Sequence, residues 1–138
     1  MIIDATNQIL GRISTHAAKS ALLGKEVSII NCEKAVISGN KKKTLSDFEH
    51  KRAMGIQAKG PYHYRRPPMF VKRALRGMLP YKQPKGRDAL SRIKCYSGVP
   101  AEFEGKEITK IAGADFKKLP LVKFTTVGNM CETMGVKQ

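Results

Sequence analysis

Residues 2–31 read IIDATNQILGRISTHAAKSALLGKEVSIIN. Ile2-Ile3 opens a short apolar strand. Over residues 12–23, Ile13, Ala17, Ala21 and Leu22 recur at helical spacing, which predicts a helix with those side chains inward. Gly24 then stands at C′, where helices end in left-handed backbone. Val27-Ser28-Ile29-Ile30-Asn31 follows, β-branched and apolar on both faces. That pattern suits a strand whose sheet is covered by helices on both sides, rather than a surface hairpin. Strand, helix, strand in this order predicts a second strand parallel to the first, because parallel neighbours need a crossover of this length.

Downstream, Val36-Ile37-Ser38-Gly39 is a short apolar run before a turn. Lys41-Lys42-Lys43 leads into Thr44-Leu45-Ser46-Asp47, which reads as an N-cap with an acid three residues on, so a helix is expected over residues 45–54. Residues 55–68 hold two glycines and three prolines around Tyr62-His63-Tyr64-Arg65-Arg66, and predict an extended loop. Pro68 is suited to open a helix. On the helical wheel that follows, Phe70, Val71, Ala74, Leu75, Met78 and Leu79 share one side, while Lys72, Arg73 and Arg76 share the other. Gly77 flanks the basic side with no side chain to obstruct close approach. Pro80 ends the helix, Lys82, Lys85 and Arg87 are expected on a Pro/Gly loop, and residues 89–92 form one more helical turn. Ile93-Lys94-Cys95-Tyr96 reads as a strand. A further strand is expected at residues 122–125 and a helix at 128–134; the stretch up to Leu119 carries no clear signal. Strands alternating with helices predict an α/β sandwich with a small, mostly parallel sheet and a basic helical and loop elaboration.

The 138 residues fit a single domain, 1–138, large enough to bury a core without metals or disulfides. The 26 Lys and Arg against 11 Asp and Glu leave a net charge of +15. This charge is segregated. Residues 1–40 and 95–138 carry +1 each, whereas residues 41–94 hold sixteen Lys/Arg against Asp47, Glu49 and Asp88, a balance of +13. A solvated face mixes both signs, so a segment this one-sided is expected to bind a polyanion. Met1-Ile2-Ile3-Asp4 places a charge where a secretory signal would place its apolar run, and no stretch approaches the roughly 18 apolar residues of a membrane span. A reducing cytoplasm and no membrane partner are expected.

Enzymatic chemistry finds little support. Gly24-Lys25 lacks the Ser/Thr and the upstream glycine of a phosphate-binding loop, with Glu26 and Lys19 in those places. Gly11 is a lone glycine without the G-x-G-x-x-G that brings backbone to a pyrophosphate. His16, His50 and His63 are scattered. Cys32, Cys95 and Cys131 have no zinc-ligand spacing, and Cys32 and Cys95 at strand positions are expected to be inert core thiols. No catalytic residue, metal, cofactor or small-molecule substrate is expected. An RNA-processing enzyme would need a catalytic constellation, and the sequence offers none; a DNA-binding protein would be expected to show a recognition helix with base-reading residues or a dimerisation element, and competition between duplex DNA and RNA would separate that reading.

Charge alone does not say which polyanion; the residues expected to touch it, as the RNA-binding set if it is RNA, are the cations Lys41, Lys42, Lys43, Lys59, Arg65, Arg66, Lys72, Arg73, Arg76, Lys82, Lys85 and Arg87, which can neutralise phosphates and release counterions. Tyr62, with His63 and Tyr64, could stack on bases between flanking cations, or could tuck the loop onto the core.

Leu75-Arg76-Gly77-Met78-Leu79-Pro80, Gly86-Arg87 and Ile93-Lys94-Cys95-Tyr96-Ser97-Gly98 form a spaced signature that resembles the L-thirteen family of large-subunit ribosomal proteins. The resemblance extends to Ile3-Asp4-Ala5 with Leu10-Gly11-Arg12, to Asn31-Cys32-Glu33-Lys34-Ala35, and to Gly60-Pro61-Tyr62-His63-Tyr64-Arg65, and so covers nearly the whole chain. The last of these is similar to archaeal and eukaryotic members. The resemblance implies a three-layer α/β/α sandwich with a four-stranded sheet, large-subunit ribosomal RNA and neighbouring ribosomal proteins as partners, and a cytoplasmic place in the large subunit. Cys95 stands where valine is common, and Val99-Pro100-Ala101-Glu102 lacks the His-Pro usual after the glycine in bacterial members.

Overall fold

The structure, a computed structural model, describes residues 1–56, 58–119 and 123–136. The chain runs through β1 (Ile2–Asp4), α1 (Leu10–Leu22), β2 (Val27–Ile30), a 3-10 turn at Cys32–Lys34 and β3 (Val36–Ser38). It continues through α2 (Lys41–Ala53), α3 (Pro67–Met78), α4 (Pro84–Ser91) and β4 (Ile93–Cys95). It closes with β5 (Ile108–Thr109), β6 (Phe124–Thr126) and α5 (Val127–Thr133).

The architecture is α/β, built on a four-stranded sheet in the order β4-β2-β1-β5. All three pairings in it are parallel, with Ile3 level with Ile29 and Thr109, and Ile29 level with Cys95. β3 and β6 form a separate antiparallel pair, tied to the body by a bridge between Ile9 and Val36. Ile3, Val27, Ile29 and Ile93 from the sheet share one apolar cluster with Ile13, Ala17 and Ala21 of α1, Val71 and Leu75 of α3, and Ala89 of α4. α5 adds Val127 and Cys131 to the same cluster. Each fully buried Val, Leu or Ile contributes about 1.5–3 kcal/mol, so this shared face, more than helix propensity, holds α3 and α4 in place.

Several elements differ from expectation in their details. α1 starts two residues early, at Leu10, and Leu22 is 45% exposed rather than inward, because the helix is ending there and Leu23 takes the C-cap. Gly24 occupies C′ with φ +90°. α2 begins at Lys41, not after Thr44. Its cap is Asn40, whose side chain accepts from the Lys42 amide at 3.1 Å, while the Thr44 hydroxyl donates to the Asn40 carbonyl at 2.9 Å from inside the first turn. Met78 is 43% exposed, since α3 ends at that residue and Leu79 turns in instead. The expected loop at 82–87 is largely α4, with Pro84 in its first turn. Cys32 opens the 3-10 turn rather than lying in a strand. The fourth strand of the sheet is β5, in the stretch without a clear signal. Of the strand expected at 122–125, residue 122 lies outside the described residues and the rest overlaps β6, paired with β3.

At the carboxyl end of β1, Asp4 Oδ1 accepts from the Thr6 amide (3.0 Å), the Thr6 hydroxyl (2.7 Å) and Asn31 Nδ2 (3.0 Å), and Lys110 Nζ lies 3.5 Å from Oδ2. In open parallel sheets this crevice, where strand order reverses, commonly takes ligands. Here the chain's own donors hold the carboxylate. All three cysteines are free, with Cys32 and Cys131 buried and Cys95 half-buried. The Cys32 thiol, as donor toward Cys95, is pushed up by that interaction and by burial; Cys95, as acceptor, is drawn down by it against the opposing effect of burial and, more weakly, by Lys72. Burial, then Glu132, pushes Cys131 up to about 11.

Candidate nucleic-acid interface

The basic segment unfolds along three helices and one loop. α2 has no buried residue. Leu45 and Phe48, both half-buried, are its large apolar side chains, too few for the broad apolar stripe by which a surface helix docks on its domain. What holds it is narrow. The Phe48 ring packs against Phe70 of α3 at 5.3 Å between centroids and Arg52 donates to the Met134 carbonyl at 3.2 Å, while within α2 itself Lys51 Nζ lies 5.2 Å over the Phe48 ring. Lys41, Lys42 and Lys43 fall in its first turn and are exposed, with no acid among them. Cations at a helix N-terminus oppose the macrodipole at a cost of tenths of a kcal/mol each. An anion seated there would reverse the sign.

Of the extended loop expected at 55–68, residues 61–65 carry no regular element, Ile56 and Gly60 bridge to each other, and Pro67 and Pro68 already belong to α3. The Lys59 and Gly60 amides both donate to the Ile56 carbonyl, at 3.0 and 2.9 Å. Lys59 is exposed on this turn. Tyr62 is 71% exposed, with its hydroxyl donating to the Ala58 carbonyl at 3.0 Å, and Tyr64 is also exposed, so neither ring is tucked into the core. His63 is half-buried, its Nδ1 3.1 Å from Arg73 Nη1; the same Arg73 nitrogen donates to the Tyr62 carbonyl at 3.4 Å. Arg73 therefore braces the loop against α3 as well as facing solvent.

α3 buries Val71 and Leu75 and turns Arg73 and Arg76 out, with Lys72 half-buried at the margin. The Arg76 guanidinium lies 4.2 Å over the Tyr81 ring. Arg65 and Arg66 are exposed, with Arg66 the N-cap of α3. Lys82 lies in the turn after α3, and Lys85 and Arg87 are exposed on α4. A regular helix in place of the expected loop gives those two cations a fixed spacing. Gly86 makes this possible, because a Cβ there would run into the Pro80 carbonyl.

Among the described residues the one ion pair joins Lys110 to Asp4, outside the basic segment. None of the described cations in 41–94 is neutralised by a protein carboxylate. Sequence reasoning passed over Lys51 and Arg52 on α2, and over the apolar Met54 and Ile56 beside them, both exposed. The signal available for these was an apolar pair interrupting a run of cations. Among the described residues no group of three or more His, Cys, Asp or Glu is placed to hold a metal, and no helix is long and apolar enough to cross a membrane.

Residues 1–102 match the profile of the family described as Ribosomal protein L13. The chain is 43% identical to Large ribosomal subunit protein uL13 of Methanococcoides burtonii over 136 residues, covering 99% of this chain and 98% of that protein. It is 45% identical to the protein of the same name from Methanosarcina barkeri, over 99% and 98% of the two chains, and 39% identical to that of Archaeoglobus fulgidus, over 99% and 88%. The signature from Leu75 to Gly98 now has a structural meaning, since it spans α3, the Gly86 contact and β4. With a profile match over 102 residues and similarity along nearly the full length, the chain belongs to the ribosomal protein L13 family.

Proposed function

We propose that this protein is a non-enzymatic structural constituent of the large ribosomal subunit, in the cytoplasm, which binds large-subunit ribosomal RNA during assembly and so supports translation. Residues 1–138 act as one unit, with 41–94 as the RNA-binding segment and neighbouring large-subunit proteins as further partners. The observation that carries the reading is a segment with a balance of +13 in which, among the described residues, no cation is ion-paired to a carboxylate of the chain. Unpaired cations on regular helices suit RNA phosphates, whose spacing is likewise regular, and duplex RNA is read mainly by shape and backbone. Lys41, Lys42 and Lys43 form one contact group on α2. Lys59, Tyr62, His63, Arg65 and Arg66 form a second on the loop. Lys72, Arg73, Arg76, Lys82, Lys85 and Arg87 form a third on α3 and α4.

The test has two parts. In a native lysate sedimented through a high-salt sucrose gradient, the protein is expected to co-migrate with the large subunit; release to the soluble fractions would point instead to a transient assembly factor or an enzyme. With transcribed large-subunit ribosomal RNA, the triple variant Lys82→Ala, Lys85→Ala, Arg87→Ala is expected to bind more weakly. The slope of log K against log salt should fall by roughly 0.7–0.9 for each phosphate that no longer meets a cation. Unchanged affinity and slope would remove α4 from the interface.

A further inference from the structure

Beside the Ile56–Gly60 bridge lies a cleft that phosphate binding alone does not require. It has a volume of about 480 Å³ and lies between the end of α2 and the loop, with Arg52, Met54, Ile56, Tyr62, His63 and Arg65 around it. That volume is within the roughly 300–1,000 Å³ of pockets that hold small organic groups. Its walls are braced from three sides. Arg52 ties the end of α2 to the Met134 carbonyl, Arg73 ties the loop to α3, and the Ile56–Gly60 bridge closes the turn. Gly55 is required by this closure, since a Cβ there would run into the Gly60 carbonyl, and its φ is +85°.

The chemistry of the lining is mixed in a particular way. Ile56 and Tyr62 are each 71% exposed and Met54 is exposed beside them, a costly display of apolar surface in the most hydrophilic part of the chain. Guanidinium groups stand at the rim. A flat heteroaromatic ring covering Met54, Ile56 and the Tyr62 face, with its phosphate toward Arg52 or Arg65, would use both features at once. Single-stranded RNA offers that combination wherever a base is splayed out of its stack. A duplex offers only the phosphate. The cationic rim also disfavours a basic ribosomal-protein neighbour as the occupant.

We infer that this cleft receives one unstacked nucleotide of the ribosomal RNA, so that the protein recognises a bulged or looped base in addition to the RNA backbone. The inference rests on the RNA-binding reading above, and the two fail separately. Binding of the full-length protein to transcribed large-subunit ribosomal RNA would be measured across a salt series. Met54→Ser with Ile56→Ser, and separately Tyr62→Leu, are expected to weaken binding roughly 5- to 100-fold while the salt slope stays as in the unmodified protein, because every cation that meets a phosphate is still in place. Tyr62→Phe, which keeps the ring, should recover most of the Tyr62→Leu loss. Arg65→Ala should lower the slope. With RNA carrying 4-thiouridine in place of uridine, photo-cross-links should fall on the peptide containing Met54 to Tyr62. Native affinity in both the double serine variant and Tyr62→Leu would overturn the inference, even if those variants detach from assembled subunits, since a protein neighbour would then be covering the patch. If the unmodified protein itself fails to bind the transcribed RNA, the RNA-binding reading falls, whatever the cleft variants do.

Discussion

Asp4 is a buried carboxylate that stays charged. Burial alone would raise its pKa, but the hydrogen bonds from Asn31 and from the hydroxyl and amide of Thr6, helped by Lys110, outweigh burial and hold it below the ordinary aspartate range. A group with a lowered pKa in the folded state stabilises the fold fully above its unfolded value, about 3.9, and that contribution is lost as pH falls through the folded value. Asp4→Asn is therefore expected to cost about 1–3 kcal/mol at neutral pH, the penalty for breaking a buried, charge-assisted network. In urea melts from pH 7 down to pH 3, the gap between the unmodified protein and the variant should be constant at first and should narrow below about pH 4. A gap that is flat over the whole range would mean that the site uses the shape of Asp4 and not its charge.

At the scale of elements, α3 and α4 meet at the Pro80 turn, and two glycines in the same signature have opposite roles. Gly86 packs against the Pro80 carbonyl and Tyr81 amide, so Gly86→Ala must force the helices apart. A loss of about 1–3 kcal/mol is expected, with weaker RNA binding because Lys85 and Arg87 move with α4. Gly77 has open space where a Cβ would go. Gly77→Ala should therefore raise stability by about 0.4–1 kcal/mol, since alanine restricts the unfolded chain without strain in the helix. Thermal melts of the two variants would check both signs, and destabilisation by Gly77→Ala would contradict the open geometry. The same elements show what a sequence can reveal. α1 and α3 were legible because one face of each is buried for three turns, which imprints a period on the residues. α4 was not, because Pro84 and Gly86 read as loop punctuation when one opens the helix and the other permits its close approach to the Pro80 turn. β5 has two residues, too few to show alternation, and its Ile108 is exposed. The start of α2 was hidden because three lysines mask a helix whose cap, Asn40, lies outside them. In the proposed interface the cations are the ones that charge segregation singles out, whereas Met54 and Ile56 gain meaning only where the structure sets them beside Tyr62 around one cleft.

For the molecule as a whole, the charge distribution makes a statement about the isolated protein that is independent of any partner. A net +15 on 138 residues, with +13 inside 41–94, places like charges on α2, α3, α4 and the loop. One carboxylate ion pair among the described residues, at Asp4, does nothing to offset them. Self-repulsion of this kind destabilises a compact state. It acts over distances comparable to the Debye length, about 10 Å at 0.1 M salt, and is screened as salt rises. Salt should therefore stabilise the free protein, whereas a fold held by surface ion pairs would lose stability. Between about 0.02 and 0.5 M sodium chloride, gains on the order of 1 kcal/mol are expected, equivalent to a few degrees in Tm for a chain of this length. Chloride can also bind weakly, so the experiment is repeated with a short polyphosphate at fixed ionic strength. If the repulsion is concentrated in 41–94, polyphosphate should raise Tm further, and the α4 triple alanine variant should start from a higher Tm in low salt and gain less from both additions. A Tm that falls with sodium chloride in the unmodified protein would show that favourable pairs outweigh the repulsion, and the basic segment would then need another reason for its one-sided charge.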